Sequence, residues 1–314
     1  MTSPAIEMSR STPSRAAIPA RLNLALLVGA IAVAASCLSF ASHTGSWALM
    51  IAAAIAFSFV NNTIFSLMHE AVHGVFHRSA AWNTFLGRWL AAFFPTAFTL
   101  QRFFHLGHHR RNRSAAERFD YVAPGESALL KKIQWYGILT GFYWLLPPLS
   151  CVIYFFAPGV FSSRVIQGED ALWSHQSGTD AMVAGVDDLP RASVRAEILF
   201  TAIWQTILFW TLRLSWSGWA LCYAAFGINW SSLQYADHAW SPLDPVRGSW
   251  NLRVNRPVQW LFLNYHHHRA HHENPKISWI HLPRFVDWEE QRPSFLRTYL
   301  SMWRGPRPLP KGSA

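Results

Sequence analysis

Apolar residues run through this chain in blocks too long for a soluble core. Leu22 to Ala41 and Trp47 to Met68 each supply the roughly 20 mostly apolar residues that a bilayer-spanning helix needs, and only the short segment His43 to Ser46 parts them. They predict a helical hairpin. Ile198 to Leu214 and Trp219 to Ala236 predict a second hairpin, joined by the turn Ser215-Trp216-Ser217-Gly218. That Ser-Gly turn disfavours a single very long helix over Ile198–Ala236. Phe85 to Leu100 is interrupted by Arg88 and Pro95, which predicts an interfacial or partly buried helix and not a clean span. Trp135 to Phe156 is apolar but holds Pro147-Pro148, so pattern alone does not decide its path.

Histidines punctuate the ends of these blocks. The clusters read His69-Glu70-Ala71-Val72-His73, His105-Leu106-Gly107-His108-His109 and His268-Arg269-Ala270-His271-His272, and His238 stands alone after the last apolar run. On a helix, residues at i, i+3 and i+4 share a face. Each cluster is therefore expected to offer two or three imidazoles to one point in space. Together they are more nitrogen ligand than one ion can use, which points to two metals at the cytosolic edge of a membrane.

That convergence decides the ambiguous segment. Ligands to one centre must lie on one side of the membrane. The first hairpin returns the chain to the side of the basic N-terminal residues Arg10, Arg15 and Arg21, which the positive-inside tendency makes cytosolic. A full crossing by Trp135–Phe156 would leave His238 and the third cluster on the far side. The segment is therefore expected to be a re-entrant or interfacial hairpin bent at the two prolines, with Arg164 to Arg195 as a cytosolic loop. The fold expected is an all-α integral membrane protein, with four transmembrane helices in two hairpins and a cytosolic helical cap carrying the histidines. Residues 1–20 read as a polar tail, 21–300 as one membrane domain and 301–314 as a Pro/Arg-rich end.

Composition supports the membrane setting. Of 314 residues, 51% are apolar and 14% charged, against roughly 25% charged in soluble domains. Seventeen Trp and 22 Phe suit membrane interfaces. The net charge of +10 could suggest nucleic acid. Its basic residues, however, sit in the N-terminal tail, around the second cluster (Arg110, Arg111, Arg113) and near the C-terminus (Arg304, Arg307, Lys311), a distribution that fits an anionic lipid surface better. Cys37, Cys151 and Cys222 all lie in apolar stretches and read as packing residues, with no disulfide framework or thiolate site. Residues 1–20 are too long and polar for the leading region of a cleavable signal peptide.

Imidazole suits iron, zinc and copper. A zinc site needs only three or four protein ligands, whereas nine candidates are present: His69, His73, His105, His108, His109, His238, His268, His271 and His272. A structural zinc is a poor fit and a two-iron, oxygen-activating centre a good one. The first cluster is also His-Glu-x-x-His, the zinc-protease signature with Glu as general base, but a protease leaves the other two clusters unexplained. A surface, pH-sensing role does not account for His-x-x-His-His occurring twice. A metal transporter should carry polar residues in mid-span, and these spans hold few. Metal-bound histidines usually donate their other nitrogen to a carboxylate or carbonyl, and Glu70, Asp120, Asp237 and Glu273 are available, with Asp237 at the mouth of a span the strongest. Gln234, one turn before His238, is placed to hold a metal-bound water. His77, His266 and His267 are expected in supporting roles, and His43, His175 and His281 in loops.

With these boxes in this order and spacing, followed by Pro275 and Leu282-Pro283, the chain resembles the membrane fatty acid desaturase family over about residues 47–285. The resemblance implies a histidine-rich di-iron centre, with O2 as co-substrate and oxidation of an acyl or alkyl chain. By motif position it carries over the nine histidines as iron ligands and Gln234 as the water-holding residue. The run Tyr265-His266-His267-His268 is two residues longer than the common form after Asn264. No cytochrome b5-like His-Pro-Gly-Gly segment is present, so electrons are expected from a separate donor such as ferredoxin and its reductase. The expected activity is an acyl desaturase in a bacterial inner membrane; hydroxylases, carotenoid ketolases and decarboxylases forming terminal alkenes share similar scaffolds. Phe65, Phe226 and Trp230 are expected to line the acyl path, and Arg102, Arg110 and Arg269 are candidates to hold a free carboxylate.

Overall fold

The computed structural model describes residues 18–310 and residue 312, so most of the expected N-terminal tail lies outside the described residues. Helix α1 (Ala20–His43) and helix α2 (Trp47–His73) form the first hairpin. Continuous apolar sequence carries α2 without a break through the first histidine cluster. It stops at Gly74, whose φ of 77° is the left-handed cap that glycine takes at least cost.

The expected single helix over Phe85–Leu100 is instead two, α3 (Ala80–Phe93) and α4 (Phe98–Arg111). Pro95 lies in the break; its ring and missing N–H stop a helix from continuing through it. After the short strand β1 (Tyr121–Val122), α5 (Ala128–Leu139) and α6 (Leu146–Phe156) make a pair bent by 87°. The bend falls at Thr140-Gly141, not at the prolines expected to make it. Gly141 has φ 87° and sits so close to α11 (Trp216–Ala236) that a Cβ would lie 2.7 Å from the Ile228 nitrogen. Pro147 and Pro148 lie in the first turn of α6, where a missing N–H leaves no helical bond unmade.

The polar stretch after α6 is not a plain loop. It folds into α7 (Arg164–Gln167), α8 (Leu172–Ser177) and α9 (Thr179–Val183) before α10 (Arg191–Thr211) begins. The turn from α10 to α11 spans residues 212–215, earlier than expected. Ser215 caps α11 by accepting from the Gly218 N–H at 3.1 Å. Gly218 is thereby a packing residue and not a turn residue: a Cβ on it would stand 2.7 Å from Ser42 Oγ of α1.

α11 packs at the centre of the membrane helices, against both α1 and α2. Phe57, Phe65, Tyr223 and Phe226 are among the buried side chains there. α1, α2 and α10 are long and apolar enough to cross a membrane, and the bent α5–α6 pair makes a fourth candidate if it counts as one span. α11 falls short of that apolarity because it carries Asn229, Ser231, Ser232 and Gln234. Beyond it come α12 (Arg256–Leu261), α13 (His268–Glu273), α14 (Phe295–Met302) and strand β2 (Arg307–Pro308). β2 pairs in parallel with β1, Tyr121 opposite Arg307. The Pro/Arg-rich end is thus tied back to the fold through residue 309, whose N–H donates to Val122 O.

Replacing Gly218 with Val should force α1 and α11 apart and lower stability by about 1–3 kcal/mol, read as a lower midpoint of thermal unfolding in detergent. Gly29→Val on α1, where nothing lies within 4 Å, is the matched control and should leave the midpoint nearly unchanged.

Candidate metal centre

All nine histidines singled out from the sequence meet at one end of α2, α4, α11 and α13. They form two groups. His69, His73, His105, His109 and His271 make the first, and His108, His238, His268 and His272 the second, with the ligand-type atoms of each group within 4.8 Å of one another. The expectation that each cluster converges on one point is corrected for the second and third clusters. On α4, His105 and His109 face one group while His108 faces the other. On α13 the split is reversed: His268 and His272 serve the second group and His271 the first. Residues i and i+4 lie nearly above one another, whereas i+3 points about 60° away on a 3.6-residue helix. Two such helices set side by side therefore divide their imidazoles between two centres.

Within the groups, Nε2 atoms face each other closely. His73 and His109 lie 2.8 and 3.1 Å from His105, and His271 lies 3.1 Å from His109. In the second group, His238 and His272 lie 3.0 and 3.2 Å from His268. Two nitrogens bound at right angles to an ion at about 2.1 Å would stand about 3.0 Å apart, so these spacings suit donors around a metal. His69 Nε2 is buried with no hydrogen-bond partner. Metal ligation requires neutral imidazole, and burial favours it. Burial, with the neighbouring histidines adding, holds His105, His268, His271 and His272 well below the usual imidazole range, and lowers His109 to about 3. Burial likewise holds His238 down, against a raising bond to Gly248 O.

On His238 and His108 the outer nitrogen has a partner that fixes which nitrogen faces inward. His238 Nδ1 donates to Gly248 O at 2.8 Å. His108, the most exposed of the second group, has its Nδ1 2.6 Å from Glu117 Oε2, and Arg111 holds the other oxygen at 3.0 Å. Glu117 was not among the acidic residues picked out from the sequence, because nothing local marks it. It reaches His108 only because the loop after α4 folds back. That return is held by a bidentate pair between Arg113 and Asp120 at 2.9 and 2.8 Å, both buried. Tyr235 OH and the Trp240 N–H also donate to Asp120, at 3.0 and 2.6 Å. Asp120 is therefore a structural anchor and not a histidine partner.

Asp237 does lie beside the centre. Its carboxylate is fully buried, 3.5 Å from His268 Nδ1 and 3.8 Å from His238 Nε2, and neither oxygen makes a hydrogen bond. Burial pushes its carboxyl well above the usual range. Such a group calls for a nearby cation or a proton. Gln234 accepts from Tyr265 OH at 3.0 Å, which leaves its buried Nε2 as a donor without a partner. The Tyr265 ring, 5.0 Å from both His69 and His268, touches both groups.

Glu70 faces away from any role as a general base: it accepts from Ser278 Oγ at 2.7 Å and the Trp279 N–H at 3.0 Å. With the first cluster sharing its centre with the other two, the protease arrangement is not formed. Glu273 pairs with Arg269, which also contacts Glu290, so Arg269 is already engaged by carboxylates. None of the other six histidines joins either group. His77 accepts from the Ser79 N–H, and the His266 and His267 rings, tilted against each other with centroids 3.9 Å apart, immediately precede the third cluster in the chain. Phe65, Phe226 and Trp230 pack with Phe94 into an aromatic layer next to His69, and Tyr143 stacks on Trp230 at 5.7 Å.

A protein-family model described as fatty acid desaturase matches residues 44–305. No curated protein matches the chain. The matched span contains every histidine of both groups and all the helices that carry them, and the chain belongs to the fatty acid desaturase family, oxidoreductases that act on fatty acids in a membrane setting.

Proposed function

We propose that this protein is an O2-dependent acyl desaturase that uses two iron ions held by the nine histidines. The observation that carries the reading is the division of the second and third clusters between two all-nitrogen groups. Imidazole-only donor sets suit iron, and the absence of carboxylates from either group argues against magnesium or calcium. Bound iron would supply the oxidising power for breaking unactivated C–H bonds, with electrons from a separate donor such as ferredoxin and its reductase.

The chain's own residues supply the rest. Glu117 and the Gly248 carbonyl hold His108 and His238 with Nε2 directed inward, and Asp237 places a buried carboxylate beside the second group. Gln234, fixed by Tyr265, offers its free Nε2–H as a donor to a water at the centre. The layer of Phe65, Phe94, Phe226 and Trp230 keeps water out and leaves shape as the main means of positioning an alkyl chain. Each buried methylene contributes about 0.8 kcal/mol, so the position of attack depends on where the aromatic walls stop the chain.

The reading places the two hairpins, α1–α2 and α10–α11, across a bacterial inner membrane, with the bent α5–α6 pair entering from the cytosolic side without crossing. All nine histidines of the two groups then share the cytosolic face. Topology reporters fused after Arg164 and after Arg284 should both read cytosolic, and one in the loop at Gly45 should read the opposite side. A periplasmic signal after Arg164 would make α5–α6 a true span and break this topology.

The purified protein should hold about two irons per chain. His73→Ala and His238→Ala, one from each group, should each lower iron content and abolish turnover. One zinc and no iron by elemental analysis would sink the two-iron reading.

Mass spectrometry of lipids and headspace from cells expressing the protein should show a new internal double bond. A terminal alkene or a hydroxylated chain would instead assign the decarboxylase or hydroxylase outcome to this scaffold.

A further inference from the structure

A second feature lies away from the histidines, where α12 and α14 meet the membrane helices. A cleft of about 450 Å³ opens there, floored by Phe59 of α2, Val258 and Phe262, with Arg253 and Arg297 at its rim. Both arginines are exposed. Among the described residues neither pairs with a carboxylate. Arg292 lies close enough that the Arg253 charge adds to burial in pushing its pKa down. Positive charge therefore accumulates at this rim without compensation.

The surface around the cleft is apolar where solvent would be expected. Trp260 on α12 is 70% exposed, and Leu296 and Leu300 on α14 are 61% and 58% exposed. Leu296, Leu300 and Trp303 stand at i, i+4 and i+7 and form one stripe, with Arg297 and Arg304 beside it. A short helix with an open apolar face and a basic edge is built to lie in the headgroup region of a bilayer.

The cleft also has a polar mouth and an apolar floor. Arg253 is held at the mouth by its backbone, which donates to Pro293 O at 2.8 Å and accepts from the Phe295 N–H at 3.1 Å. Phe59, ten residues before His69, lies about 15 Å down α2 from the metal centre. Toward the histidines, Thr63 Oγ1 donates to Leu261 O at 2.6 Å and Ser66 Oγ to Phe262 O at 3.1 Å. Those bonds seal the end of α12 onto α2, so the cleft faces the surrounding lipid and not the centre.

We propose that this cleft holds one anionic phospholipid of the leaflet on the histidine side, its phosphate between Arg253 and Arg297 and an acyl chain along Phe59 and Phe262. Two exposed guanidiniums without a carboxylate partner suit an anion, the apolar floor suits a chain, and a membrane helix forms one wall. The proposal needs α2 to span a bilayer but does not depend on iron or on the reaction catalysed.

The test uses the full-length protein in nanodiscs of phosphatidylcholine doped with phosphatidylglycerol, with the retained lipids counted by native mass spectrometry. Phosphatidylglycerol should be retained over phosphatidylcholine by about fivefold for each arginine, and the preference should weaken with salt. Arg253→Gln with Arg297→Gln should remove the preference while leaving the thermal unfolding midpoint in phosphatidylcholine discs unchanged. Arg191→Gln, on exposed surface elsewhere, should leave the preference intact. Equal retention of the two lipids by the unaltered protein, or a preference that survives the double substitution, would overturn the proposal. Displacement of phosphatidylglycerol by oleate at equal concentration would also overturn it, by assigning the cleft to an acyl anion.

Discussion

Buried imidazoles with nitrogen lone pairs aimed at one another are a costly arrangement, and this structure is organised around making it possible twice. In each group, Nε2 atoms approach to 2.8–3.2 Å with burial keeping the rings neutral. Without a cation between them, such nitrogens lose their hydrogen bonds to water and gain little in return. The geometry suits a set of ligands gathered around positive charge. Metal binding and the final packing of this end of the molecule should therefore be coupled.

Holding nine side chains in register demands support from segments far apart in sequence. The buried Arg113–Asp120 pair and Tyr235 fold the loop after α4 back, so that Glu117 reaches His108. Glu70, next to a ligand histidine, binds Ser278 and the Trp279 backbone and so anchors the chain just after the third cluster. The Gly248 carbonyl orients His238 from a loop that Asn112 in turn holds, by a bond to that same carbonyl at 3.3 Å. Each support links α2 or α4 to the C-terminal third. Removing one partner of a buried charged pair such as Arg113–Asp120 typically costs about 3–5 kcal/mol, so these contacts are structural requirements of the centre.

The membrane sets the other boundary. α1 and α10 expose apolar side chains such as Val28 and Trp210, at 69% and 74%, which only lipid can cover at low cost. α11 carries Ser231, Ser232 and Gln234 on a helix packed inside the bundle and away from lipid; Ser232 Oγ donates to Ile228 O at 2.6 Å. The proposed lipid cleft would account for the combination of exposed Trp and Leu with arginines on and around α12 and α14.

Several features were legible in the sequence alone, for a local reason. Apolar length marked the long helices α1, α2 and α10, and the spacing of histidines marked eight of the nine residues that converge, because both signals repeat within one helix; His238 was marked only by its place at the end of an apolar run. The Asp237 and Gln234 positions followed from their place beside His238 on the same helical path. Other features were settled only by contacts between distant segments. Gly141, not Pro147-Pro148, bends the α5–α6 pair because α11 passes too close there for a side chain. Gly218 lies inside α11, which starts earlier at the Ser215 cap, and α1 leaves no room there for a Cβ. Glu117 became a histidine partner, and Asp120 ceased to be one, through a loop closed by a buried ion pair. The split of His108 and His271 from their neighbours is a matter of how two helices face each other, and spacing along one helix carries no information about the orientation of a second.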